Sequence, residues 1–252
     1  IRRRDGLVET SWEEALAETA GAMREAAEHD GSQLAALIHP MSSMEESFLL
    51  QKIMRGLGSD QIDHRLLQRD FSNDAFAPAY PGLEVALSDV ESLKGILLVG
   101  CNPRKEAPLL ALRIRKMVEQ GGVVGMLGSH VPELNFSVCA SQAVKPANLP
   151  SAFAALARGA GVSDFVAVAA SGHYGDPQVP ELDGLVGVLN QAGGDGIILL
   201  GQGALNHPAA GILRTIAGRL AEQTGMQLGV LSPANSAGAW WAGAVPHRTA
   251  EG

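Results

Sequence analysis

The sequence predicts an α/β fold made of two parallel-sheet lobes, and three observations predict it. The first is a near-repeat. Gly95-Ile96-Leu97-Leu98-Val99-Gly100 is followed by Asn102-Pro103, a helical stretch opening near Pro108, Gly121-Gly122 and Val123-Val124-Gly125-Met126-Leu127. Gly196-Ile197-Ile198-Leu199-Leu200-Gly201 is followed by Gln202-Gly203, a helical stretch opening near Pro208, Gly225 and Gln227-Leu228-Gly229-Val230-Leu231. The second is the apolar continuity of these strands, which marks burial on both faces and so a parallel sheet covered by helices and closed by right-handed crossovers. The third is a set of helix starts, Ser11 with Glu14, Ser43 with Glu46 and Ser88 with Glu91. At that spacing a hydroxyl caps the helix while the carboxylate reaches back to the cap.

Taken in chain order, the first helix runs from about Ser11 to Glu28 and stops before Gly31. Leu34 to Ile38 reads as a short buried strand. The second helix starts at Ser43, buries Leu50, Ile53, Met54 and Leu57, and ends near Gly58. The two copies of the near-repeat then give a first lobe over residues 1–160 and a second over 161–252. Val162 to Pro180, with Ser171-Gly172-His173-Tyr174-Gly175-Asp176-Pro177, reads as the connection. Lys145 to Pro150 is a second candidate boundary.

Composition narrows the function classes. Of 252 residues, 27 are acidic and 19 basic, a net charge of -8, so the clustered positive charge that a nucleic-acid partner needs is missing. Two cysteines, Cys101 and Cys139, are too few for an iron-sulfur cluster or a cysteine-rich zinc site. No apolar run approaches the 18 or so residues that span a bilayer. The opening Ile1-Arg2-Arg3 enters without an initiator Met or a signal region and reads as a piece of a longer protein. Thirty glycines call for many tight turns.

Chemistry is sparse. The turns Gly100-Cys101-Asn102-Pro103 and Gly201-Gln202-Gly203 follow parallel strands and lead into helices, where unpaired backbone N–H groups could receive a phosphate. Glycine that simply lets the chain turn explains them more plainly, and neither turn matches G-x-G-x-x-G or G-x-x-x-x-G-K-[ST]. Cys101 follows a strand, as a nucleophile can, but no activating base accompanies it and a structural thiol is the plainer reading. The seven histidines show no zinc spacing, and His207 before Pro208 fits a helix start. There is no G-x-S-x-G elbow. Trp240-Trp241 either packs on a lobe or covers a cofactor or partner. Residues 56–72, dense in charge and turn residues, read as a solvated loop with internal salt bridges.

The order of motifs resembles the molybdopterin oxidoreductase superfamily: Trp12-Glu13-Glu14-Ala15-Leu16 after a basic strand, Glu45-Glu46 in a helix, Gly58-Ser59-Asp60-Gln61-Ile62-Asp63, Gly100-Cys101-Asn102-Pro103 and a second α/β unit. More narrowly, Ile62-Asp63-His64-Arg65, Asp70-Phe71-Ser72, Asn235-Ser236-Ala237-Gly238 and Ala242-Gly243-Ala244-Val245-Pro246 are similar to the family of G subunits of bacterial NADH-quinone oxidoreductase, respiratory complex I. The resemblance implies two Rossmann-like or flavodoxin-like lobes of the formate dehydrogenase and DMSO reductase type. It makes Gly100, Asn102, Pro103, Gly201 and Gly203 vestigial pterin-nucleotide cradles, with no catalytic or metal-binding residue in this segment. In the molybdenum enzymes the loop after the Gly-x-x-Asn-[Ile/Val]-Asp motif supplies Cys, selenocysteine or Ser to the metal. Here that loop reads Arg65-Leu66-Leu67-Gln68-Arg69-Asp70, with a cation-repelling Arg and only Asp70 as a carboxylate able to ligate an oxidised metal. The resemblance thus implies a scaffold with molybdopterin lost. The 2Fe-2S and 4Fe-4S clusters would lie in an N-terminal part, and the other peripheral-arm subunits would be the partners, without nucleic acid or membrane insertion. A catalytic molybdopterin-dependent oxidoreductase such as a formate dehydrogenase is the rival, and a free-standing phosphate-ligand binding protein is a third reading.

Overall fold

The computed structural model describes residues 1–3, 6–67, 69–78, 80–162 and 182–248. The described elements are β1 (Arg2–Arg3), β2 (Gly6–Leu7), α1 (Trp12–His29), β3 (Ala36–Leu37), α2 (Met44–Gly56), β4 (Ile62–Asp63), β5 (Gly95–Val99), α3 (Pro103–Glu106), α4 (Pro108–Glu119), β6 (Val123–Gly128), β7 (Ala140–Ala143), α5 (Leu149–Gly159), α6 (Asp183–Ala192), β8 (Gly196–Leu200), α7 (Gln202–Leu205), α8 (Ala210–Thr224), β9 (Gln227–Val230) and α9 (Ser236–Trp241). They fall into two units, residues 1–66 with 234–252 and residues 67–233. None of the described helices is long and apolar enough to cross a membrane.

In the first unit α2 starts as its sequence dictates. Ser43 Oγ accepts from the Glu46 N–H at 3.1 Å, and Glu46 Oε2 accepts from the Ser43 N–H at 2.7 Å, so two otherwise orphaned amides are satisfied reciprocally. The cap of α1 is half of that pattern. Ser11 Oγ accepts from the Glu14 N–H, while the Glu14 carboxylate is held by Arg3 and Thr10 instead of reaching back. Along α2, Met54 is buried and Leu50 packs beside it, but Ile53 is 50% exposed, because one residue earlier than Met54 is a 100° rotation away from the core face. The expected 34–38 strand shortens to β3, which pairs in parallel with β4. Ile38 is buried while Leu37 is 72% exposed, the alternation of a half-buried strand. The core of this unit is Ile38, Met54, Ile62, Ala239 and Ala244.

The second unit is built on one five-stranded parallel sheet in the order β7-β6-β5-β8-β9. Its continuous apolar strands alternate between two cores. Leu97, Val99, Ile198 and Leu200 meet α5, α6 and α8, while Ile96, Leu98, Ile197 and Leu199 meet α4. Each such residue is sealed from water, worth roughly 1.5 to 3 kcal/mol apiece.

The sheet corrects the expected division at 160/161. β5 and β8, the first strands of the two near-repeat copies, are hydrogen-bonded neighbours with Gly95 opposite Gly196 and Val99 opposite Leu200. Helices cover both faces of these apolar strands, and the β5–β8 pairing joins the copies into one sheet rather than two. Lys145 to Pro150 is no boundary either, since the turn Pro146–Asn148 runs straight into α5 inside this unit. The connection expected around Ser171 to Pro177 lies outside the described residues. Ser88 and Glu91 open only a four-residue 3₁₀ turn without a side-chain cap: the Ser88 hydroxyl donates to Asp89 Oδ1, and the Glu91 carboxylate is taken by Arg113 and Lys116 of α4.

Candidate functional site

Because β5 and β8 are neighbours and parallel, the turns at their C-terminal ends come together, which is the juxtaposition a ligand site at the edge of an open α/β sheet requires. Gly100 has φ +54°, and a Cβ there would lie 2.5 Å from the Ala204 nitrogen. A Cβ on Gly203 would lie 2.8 Å from the Gly100 carbonyl oxygen, and one on Gly201 would overlap the Cys101 Cα. These glycines let two turns interlock. The Gly201 N–H donates to the Val99 carbonyl at 3.0 Å, the Gly203 N–H to the Gly100 carbonyl at 2.8 Å, and the Ala204 N–H to the Gly201 carbonyl at 3.0 Å.

One amide from each helix start converges on the same side chain. Glu106, the last residue of α3, accepts from the Asn102 N–H through Oε1 at 2.7 Å and from the Gln202 N–H through Oε2 at 2.8 Å. Pro103 is buried at the first position of α3, and the Asn102 side-chain oxygen is buried without a hydrogen-bond donor among the described residues. The residues expected to form two cradles are therefore brought together, but their amides are engaged within the chain. Between the expected cradle residues stand the Glu106 carboxylate and the buried Asn102 oxygen, acceptors where a phosphate needs donors. This geometry does not fit the phosphates of a pterin nucleotide. Burial, and then the charge of Glu106, pushes the Cys101 thiol well up, which supports the structural thiol over an activated nucleophile. Cys139 is exposed.

The loop after β4 in the first unit is more enclosed than its composition suggests. Arg65 forks onto Asp63, Nε to Oδ1 and Nη2 to Oδ2, both at 2.9 Å, with its side chain only 6% exposed. The His64 and Arg65 N–H groups also donate to Asp63 Oδ1. Burial pushes the Asp63 carboxyl up, but the Arg65 and His64 donors together with the guanidinium charge outweigh it and hold the carboxyl below its usual value. The Arg65 guanidinium stands 5.4 Å from the ring centre of buried Trp240, with Arg248 at 5.9 Å and the His247 ring at 4.9 Å. Buried His64 places Nδ1 2.9 Å from the Ala244 carbonyl. Arg55, which the sequence reading did not single out, joins α2 to the C-terminal segment by donating to the carbonyls of Gly243, Val245 and Arg248.

Asp70, the carboxylate left open as a metal ligand, caps a helix in the second unit. Its Oδ2 accepts from the Gly211 N–H at 2.7 Å at the start of α8, and its Oδ1 accepts from the Ser72 N–H at 3.0 Å. Arg214 donates to the Asp70 carbonyl at 3.0 Å and to Asn73 Oδ1 at 2.9 Å. Burial raises the Asp70 carboxyl, and the bonds from Ser72 and Gly211 with the Arg214 charge bring it below its usual value. His207 does serve a helix start. Its Nδ1 accepts from the Ala209 N–H, and Nε2 reaches the Pro146 carbonyl at 2.9 Å. Among the described residues no three His, Cys, Asp or Glu side chains are grouped to hold a metal ion. The two adjacent tryptophans part company. Trp240 is core, while Trp241 is 60% exposed and lines, with Met44, Phe48 and Leu49, an apolar groove of about 480 Å³.

Sequence held a partial signal for Glu106. Asn102 and Glu106 are four residues apart across a Pro-started helix, close to the reach-back spacing of a capping box. The bond to Gln202 spans 96 residues and follows only from strand order.

Against known proteins, a family model described as molybdopterin oxidoreductase matches residues 1–238. The chain is similar to the G subunit of NADH-quinone oxidoreductase from Rickettsia conorii (strain ATCC VR-613 / Malish 7), 31% identical over 114 residues, which are 45% of this chain and 16% of that protein. It is equally similar to the probable oxidoreductase YjgC of Bacillus subtilis (strain 168), 31% identical over 121 residues, 46% of this chain and 12% of that one. Among solved structures, a chain of the formyltransferase/hydrolase complex from Methylorubrum extorquens superposes with a TM-score of 0.49 at 16% identity, covering 83% of this chain and 58% of that one. The chain thus matches less than a fifth of the length of these curated relatives.

Proposed function

The chain belongs to the molybdopterin oxidoreductase family, and from that premise we propose that it is part of the peripheral-arm G subunit of an NADH-quinone oxidoreductase. That enzyme passes electrons from NADH through iron-sulfur clusters toward quinone and couples their passage to proton translocation. In this reading the region is a scaffold that keeps the family fold without its cofactor. The 2Fe-2S and 4Fe-4S clusters sit elsewhere in the polypeptide, and the whole is held at the inner face of the bacterial plasma membrane by the other peripheral-arm subunits.

The observation that carries the reading is the loop after β4. Where the molybdenum enzymes present a thiolate, selenolate or hydroxyl, this chain has a buried guanidinium forked onto Asp63 and set against Trp240. A cation there opposes a metal cation, and Asp63, the nearest carboxylate, has both oxygens engaged. The similarity to proteins named as the G subunit supports the complex, and the exposed groove at Trp241 supports a surface covered by a neighbour. The similarity to a probable oxidoreductase favours a second reading, a catalytic molybdopterin enzyme such as a formate dehydrogenase. Against it stands Asp70, both of whose oxygens hold backbone amides.

Metal analysis of the full-length polypeptide separates the two. The scaffold reading expects iron without molybdenum or tungsten, and one molybdenum or tungsten per polypeptide would overturn it.

A further inference from the structure

Glu106 belongs to none of the motifs that carry the family resemblance, yet it joins the two halves of the near-repeat. Each of its oxygens takes one backbone N–H, Asn102 from the first turn and Gln202 from the second. Both bonds have the short length of charge-assisted hydrogen bonds. Around them the amides of Gly201, Gly203 and Ala204 are bonded to carbonyls, and the glycine contacts leave no room for a side chain between the turns. Two converging donors demand an acceptor with two oxygens. A phosphate provides that from outside, and Glu106 provides it from within.

We propose that Glu106 is a built-in anion that takes the place of an external phosphate between the two turns, so that this domain closes on its own carboxylate. The inference rests on the reading that the region works without the family's cofactor. Glu106 acts here as a positioning residue, and its chemistry is specific. Glutamine offers one acceptor and turns its NH2 against the other N–H. Aspartate, one methylene shorter, does not reach both turns. Alanine leaves two donors facing a gap of carboxylate size. An entering phosphate would have to expel Glu106 while meeting its charge and the buried Asn102 oxygen.

The test uses the full-length polypeptide with Glu106→Gln, Glu106→Asp and Glu106→Ala. Hydrogen–deuterium exchange is read on peptides covering 100–106 and 200–205. Loss of a hydrogen bond to a charged acceptor predicts exchange about 10- to 100-fold faster at both turns in the Gln and Ala forms. In the Ala form, acetate or inorganic phosphate slows exchange and raises the melting temperature beyond chloride of equal ionic strength, and neither does so in the unaltered protein. Exchange in Glu106→Gln as slow as in the unaltered protein would overturn the proposal, and so would an Ala form indifferent to both anions. Should the variants not fold, the unaltered protein decides alone: protected Asn102 and Gln202 amides support the clasp, and exchange at an open-loop rate sinks it. Oxidative release of fluorescent pterin from the unaltered protein separates the two levels. Pterin found there overturns the cofactor-free reading, whereas a pterin-free protein whose Ala form is not rescued overturns the clasp and leaves that reading standing.

Discussion

At the ends of β5 and β8 a carboxylate rests on two neutral backbone donors, one four residues before it and the other 96 residues after it. After β4 a guanidinium rests on a carboxylate two residues away and on an indole ring. In the proposed scaffold reading the first stands in for a nucleotide's phosphates and the second for a metal, and each holds charge of the sign that guest would repel. They differ in how they form. The Asp63–Arg65 fork is local and is available as soon as its loop folds, whereas the Glu106 clasp needs β5 and β8 already in register. Breaking them should therefore differ in size and in kind.

The largest effect is expected at Arg65. Arg65→Ala leaves the Asp63 carboxylate half-buried without its cation and removes the guanidinium from Trp240, and loss of one partner of a buried pair costs about 3 to 5 kcal/mol. Denaturant unfolding measures it. The double variant Asp63→Asn, Arg65→Leu should recover more than half of the loss, because no uncompensated charge remains. Glu106→Gln is expected to cost less, about 1.5 to 3 kcal/mol, the range for a hydrogen bond to a charged group. A larger loss at Glu106 than at Arg65 would reverse the ranking and make the non-local clasp the main closure.

How much of this is legible in the sequence follows the same local and non-local division. The capping box at Ser43, the helix opening at Pro108 and the five-residue apolar strands β5 and β8 depend on neighbours within a few residues, and the sequence displays them. The lobe boundary is not displayed, because two similar strand–turn–helix copies look alike whether they build two sheets or one. Only the β5–β8 pairing distinguishes them. Ser88 and Glu91 satisfy a capping pattern, but Arg113 and Lys116 compete for the carboxylate from 22 and 25 residues away. The glycines of the twin turns are identifiable from sequence, and the anion that fills them is not.

The pH dependence sharpens the comparison next. Asp63 and Asp70 have carboxyls held below their usual value in the folded chain. Such groups contribute stability that is fully present above the unfolded carboxyl value of about 3.9 and is lost as pH falls through the folded value. Acid unfolding should therefore steepen below about pH 4. Asp63→Asn should flatten that limb, since the substituted residue no longer titrates. An unchanged acid limb in that variant would show that the fork contributes no pH-dependent stability.

The smallest loss of stability is expected at Asp70, and its use is in what it leaves intact. As a helix cap, Asp70→Ala removes one acceptor from the Gly211 N–H and one from the Ser72 N–H at a partly exposed edge, a cost of about 0.5 to 2 kcal/mol. Asp70→Asn would keep an acceptor oxygen at the α8 N-terminus and recover most of that loss, because asparagine caps nearly as well as aspartate. A metal ligand behaves otherwise, since replacing a ligating carboxylate by a neutral amide weakens the hold on an oxidised metal whether or not the helix is capped. The pair of substitutions therefore reads the role directly. Stability lost with Ala and regained with Asn, with the metal content of the full-length polypeptide unchanged, is the behaviour of a cap. Molybdenum or tungsten present in the unaltered polypeptide and lost in both forms alike would return Asp70 to the metal and favour the catalytic enzyme over the scaffold.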